Sequence, residues 1–146
     1  MVTRCIAAAF GLALCAAGSA TAQEAVTYSF DGSFGDASFA VENAIVNRGL
    51  VIDYTSHVGE MLNRTSEDVG GEEMLFTEAD IFIFCSAVVS REVMAADPMN
   101  IVHCPYGITV AEREGEVMIL HRDYPDGPMQ QVEDLLSQIV AEAGGT

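Results

Sequence analysis

Apolar and polar residues alternate through Val26-Thr27-Tyr28-Ser29-Phe30, the period-two pattern of a half-buried strand. Asp31-Gly32-Ser33 breaks it. Asp36 then reads as the N-cap of a helix running through Arg48, with Ala37, Val41, Ala44 and Ile45 on one face and Gly49 just past its end. Residues 50–55 form a second strand. Ser56 can cap a short helix with His57 in its first turn and Val58, Met61 and Leu62 facing inward. Residues 66–74 are acidic and glycine-containing, hence a surface loop. Residues 81–85 are apolar at every position. Such a strand is buried on both faces, or is covered by helices on one face and by a second subunit on the other.

A helix over residues 87–96 stops at Asp97-Pro98, because a residue before proline avoids the α region. Residues 101–112 return to extended structure, 113–116 turn, and 117–122 complete a hairpin. Residues 124–128 are a loop. Met129, Val132, Leu135, Leu136, Ile139, Val140 and Ala143 then make a continuous helical stripe, ended by Gly144-Gly145. The pattern predicts a two-layer α+β domain. Its sheet has about five strands, antiparallel with a mixed sheet as the alternative, and helices pack on it.

The first 22 residues do not belong to that fold. Arg4 is a short positive region, residues 5–18 an apolar core too short to span a bilayer, and Ala20-Thr21-Ala22 an A-x-A cleavage site. This reads as a signal peptide cleaved after Ala22. It leaves residues 23–146 as a single domain in the periplasm or secreted, where disulfides persist. No later stretch is long enough to insert in a membrane.

Charge narrows the partners. The chain has no lysine, and its six arginines stand against 22 acids, a formal net charge of −16. Nucleic acid and anionic lipid both need a positive patch, so neither is expected as a partner.

Cys85 and Cys104 are the cysteines that remain after cleavage. Cys85 closes a strand before a helix, where the helix N-terminus would lower its pKa. Cys104 lies one helix and one turn later. The pair reads as a structural disulfide, as inert thiols, or as a redox-active or metal-handling pair. Neither belongs to a C-x-x-C motif. His57 and Met61, one helical turn apart, together with His103 beside Cys104, are the candidate ligands for a soft metal such as copper. His121 reads as a surface residue. No G-x-S-x-G, H-E-x-x-H, P-loop or G-x-G-x-x-G is present, which points to a binding or accessory module rather than an enzyme.

The run CSAVVSREVMAADPMNIVHCPYGITVAE, with DYTSHVGEMLNRTSEDVG upstream, resembles the family called domain of unknown function 302. The matching pieces are Cys85 closing a strand, Asp97-Pro98 ending a helix, and Cys104-Pro105 leading a strand to Glu112. Cysteine precedes proline here rather than following it, and Ala87 and Ala111 stand where that family carries proline and tyrosine. The resemblance implies a compact α+β fold with one antiparallel sheet, a homodimer, and company with respiratory or sulfur-oxidising systems. It brings no agreed activity.

Overall fold

A computed structural model describes residues 25–71 and 73–146; the expected signal peptide and its cleavage point lie outside them. The chain runs β1 (Ala25–Phe30), α1 (Phe34–Asn47), β2 (Val51–Ser56), α2 (Val58–Thr65), β3 (Glu78–Cys85), α3 (Ala87–Ala96), β4 (Tyr106–Arg113), β5 (Glu116–Arg122) and α4 (Gln130–Glu142). Short 3-10 turns occupy Glu67–Val69 and Pro98–His103. The five strands form one sheet in the order β1-β5-β4-β3-β2, antiparallel at every pairing, so the mixed alternative does not arise. This is the α+β architecture the pattern predicts.

The order places β1 and β2 at opposite edges, so α1 must cross the whole sheet to join them. It lies with α3 and α4 on one face. Beneath these helices sit Phe82 and Phe84 from β3, Ile108 and Val110 from β4, and Val117 and Ile119 from β5. The helices contribute Val41, Ile45, Val93, Leu136 and Ile139. Each such side chain contributes about 1.5–3 kcal/mol on full burial, so this single layer carries most of the hydrophobic stabilisation.

The two edges differ. The register of β2 slips between Ile52 and Tyr54, a bulge that blunts its outer edge. On β1, Ser29 exchanges two backbone hydrogen bonds with Thr146, at 2.8 and 3.0 Å.

Four local expectations need correction. Helix α1 begins at Phe34, and its N-cap lies three residues before Asp36. Ser33 is the N-cap, its hydroxyl accepts the Asp36 N–H at 3.1 Å, and the Asp36 carboxylate accepts the Ser33 N–H at 3.3 Å. This reciprocal capping box outcompetes a lone Asp cap. In α2 the N-cap is His57, and Gly59 is buried while Met61 is 42% exposed, so Met61 is not an inward residue. A Cβ on Gly59 would fall on the backbone nitrogen of Ala79 and within 3.0 Å of the Glu78 carbonyl carbon. Glycine therefore lets α2 lie directly on β3 where β2 has ended, and the helix rolls to suit that contact. Third, the extended structure expected from residue 101 starts only at Tyr106, because Pro98–His103 is a 3-10 turn. The Asp97 side chain accepts the Met99 N–H at 2.9 Å, and the Asn100 amide donates to the Val93 carbonyl at 2.8 Å. Fourth, His121 is 3% exposed rather than at the surface.

Candidate functional site

The helices cover one face of the sheet and leave the other open. Alternation sends Ile81 and Ile83 of β3 to that open face while Phe82 and Phe84 point under the helices. The fully apolar run of β3 is thus covered by the chain's own helices on one side only. Across β4 and β5 the same face carries Thr109, Ala111, Met118 and Leu120. Walls rise at both ends. Val102 and Pro105 stand at one, Val58 and Phe76 at the other, and together they close a groove of about 660 Å³. Gly107 deepens its floor: a Cβ there would meet Ile81 Cγ2 at 3.3 Å.

At one end of the groove stand the two thiols. The register pairs Phe84 with Tyr106, so the residue closing β3 and the one entering β4 fall side by side. Cys85 Sγ and Cys104 Sγ are 2.8 Å apart, and both are half-buried. Cys104 also lines the groove. Ser90, in the first turns of α3, places its hydroxyl 4.0 Å from Cys104 Sγ and 2.9 Å from the Tyr106 hydroxyl. The rings of Tyr106 and Tyr124 meet edge to face at 6.3 Å.

This corner does not favour a thiolate at Cys85. Burial, then the hydrogen bond and charge of Cys104, push the Cys85 thiol up to about 11, against a smaller opposing contribution from the Tyr106 N–H. The expected lowering by the helix N-terminus is overturned. Ser86 is the N-cap of α3 and its hydroxyl accepts the Val89 N–H at 3.3 Å, so Cys85 stands outside the first turn and faces its partner sulfur instead. Burial likewise raises the Tyr106 hydroxyl and pushes Tyr124 up to about 12.

The candidate metal ligands are not brought together. His57 stands at the opposite end of β3 from the cysteines, its Nδ1 2.7 Å from the Asp80 carboxylate. The five residue steps from Asp80 to Cys85 span roughly 16 Å of strand. Met61 follows His57 on α2, where the Thr65 hydroxyl approaches its sulfur at 3.9 Å. His103 ends the 3-10 turn with its ring 5.9 Å from that of Tyr124. Among the described residues no three His, Cys, Asp or Glu side chains converge as a metal site. No described helix is long and apolar enough to cross a membrane.

The buried His121 belongs to a polar link between sheet and helix. Its Nδ1–H donates to the Arg122 carbonyl at 2.8 Å, leaving Nε2 to accept from the Ser137 hydroxyl at 3.3 Å. Tyr28 in turn donates to Ser137 at 3.0 Å. The period-two spacing Val117, Ile119, His121 could have revealed this burial. Nothing in the sequence marks Ser90 or Tyr124 as neighbours of the thiols.

A family model described as domain of unknown function DUF302 matches residues 25–144. Comparison with curated proteins finds no match. Among solved structures, the crystal structure of an uncharacterized conserved DUF302 protein from Bacillus stearothermophilus aligns with a TM-score of 0.59 at 13% identity, covering 82% of this chain and 92% of that one. At that identity the likeness concerns the fold.

Proposed function

We propose a binding role for this chain, which belongs to the DUF302 family: an exported module that holds an apolar ligand on the open face of its sheet. The supporting observation is the groove itself. Its volume of about 660 Å³ falls within the roughly 300–1,000 Å³ of small-molecule sites, and like them it is mostly apolar. A solvent-facing antiparallel sheet ordinarily alternates apolar-in with polar-out; here Ile81, Ile83, Met118 and Leu120 occupy the outward positions. The test is binding of the neutral solvatochromic dye Nile red. Fluorescence should rise and shift to the blue with the wild-type protein, and fail to do so with Ile83→Asp or Leu120→Asp variants whose circular dichroism is unchanged. Dye binding that ignores both substitutions sinks the reading.

A second reading, in which the thiols are the working part, is favoured by the 2.8 Å approach of Cys85 to Cys104. It predicts reversible two-electron cycling between dithiol and disulfide in a glutathione redox titration read by intact mass. A pair that stays oxidised throughout the glutathione range is a structural staple.

A further inference from the structure

We infer that the groove takes a single-chain anionic amphiphile, an apolar tail ending in one carboxylate, and that Arg122 binds the carboxylate; this rests on the binding reading above. The argument is one of charge. The chain carries 22 acids, yet among the described residues lining the groove none is Asp or Glu, while Arg113 and Arg122 both line it. In a protein of net charge −16 the described lining of the groove is therefore apolar, with basic groups as its only charged side chains.

The two arginines are not equivalent. Arg113, at the β4–β5 turn, already has the Glu114 carboxylate at 3.5 Å. Arg122 is exposed at the end of β5, and its guanidinium has no hydrogen bond or ion pair among the described residues. From Arg122 the outward positions of β5 run to Leu120 and Met118, roughly 13 Å of apolar strand for a tail. A carboxylate offered to a free guanidinium accepts two parallel charge-assisted hydrogen bonds. The same net charge argues for a free molecule rather than a membrane surface, since anionic bilayers attract basic surfaces and repel acidic ones.

The experiment is displacement of Nile red from the full chain by three ligands of equal tail length: decanoate, decanol and decyltrimethylammonium. Decanoate should displace the dye at a concentration roughly tenfold below decanol, the scale of a hydrogen bond to a charged group. The ammonium compound should be no better than decanol. Arg122→Gln should erase the decanoate advantage over decanol, both displacements being scaled to that variant's own dye affinity, and Arg113→Gln should keep it. Equal displacement by all three overturns the carboxylate proposal while leaving the apolar groove standing, as does an advantage that survives Arg122→Gln. Absence of dye binding overturns both readings together. If, in addition, sedimentation gives a dimer that Ile83→Asp dissociates, the occupant of the face is a second copy of the chain.

Discussion

The reduced thiol pair offers a sharp test of the electrostatics at the groove's end. Only thiolate reacts with iodoacetamide. The Cys85 thiol is pushed from an ordinary 9.0 up to about 11, by burial first and by Cys104 second. At about pH 8, that change lowers the thiolate fraction roughly 100-fold. The more basic thiolate is intrinsically more nucleophilic, which returns a factor of roughly 6–10. Cys85 should therefore alkylate about tenfold more slowly than a cysteine in an unstructured peptide. The assay is mass-resolved alkylation of freshly reduced protein across pH. The rate should keep climbing past pH 9.0 and level off only near 11. Cys104→Ala removes the second and third causes but not the burial, so the levelling-off should move down and remain above 9.0. Stability follows with a definite sign. A thiol whose folded pKa is raised contributes stability below its unfolded pKa, and that contribution is lost as pH rises through the folded value. The reduced protein should thus weaken between about pH 9 and 11. A plateau below 9.0, or peptide-like reactivity, would show that the α3 N-terminus outweighs burial and would refute the reasoning.

Other substitutions separate the remaining contacts. Oxidised protein should lose about 3 kcal/mol of stability in either Cys85→Ala or Cys104→Ala, because the link spans 19 positions of chain; urea denaturation without reductant measures it, and no change would mean the thiols are unlinked. Gly59→Ala should reverse the usual sign. An exposed helix gains about 1 kcal/mol from alanine, but here the methyl meets the backbone of Ala79 and Glu78, and overpacking costs about 1–3 kcal/mol, so the urea midpoint should fall. The Ser33 hydroxyl and N–H hold the Asp36 carboxyl below its ordinary 3.8, so its capping contribution is complete above that pH and is lost as pH falls through its lowered pKa. Asp36→Asn should accordingly flatten the acid limb of the stability profile, and an unchanged limb would remove the capping box from that account.

What could be read from the sequence was whatever depends on short-range periodicity. The stripe from Met129 to Ala143 becomes α4 because its spacing admits one buried face. The β4–β5 hairpin follows from Arg113 to Glu116, where Glu114 and Gly115 adopt positive φ. The Ser33-x-x-Asp36 capping box is also legible, since both residues and their spacing are visible, although Asp36 alone offers an equally ordinary cap. Cys85 and Cys104 illustrate the opposite limit. Their adjacency depends on β3 and β4 being antiparallel neighbours, a long-range pairing that no local pattern specifies. The eight-residue α2 is too short for its stripe to choose between Met61 and Gly59 as the inner position. The choice is made by the bare β3 backbone onto which only glycine fits.

The same long-range topology decides where the apolar excess of β3 goes. With α1, α3 and α4 all on one face, half of that strand's side chains must point away from the core. A sheet face left to solvent would place polar groups at residues 81 and 83, and at 118 and 120 two strands over; this chain places isoleucine, methionine and leucine there. Exposed apolar patches of that kind invite association, and a strongly acidic remainder of the surface opposes it by keeping like molecules apart. If acidity served solubility alone, acids at the groove rim would serve best, closest to the patch they shield. Among the described residues the groove is lined instead by two arginines and no acid. That inversion of charge at an uncovered apolar face is what a site for an anionic amphiphile requires and what a merely solubilised surface would avoid.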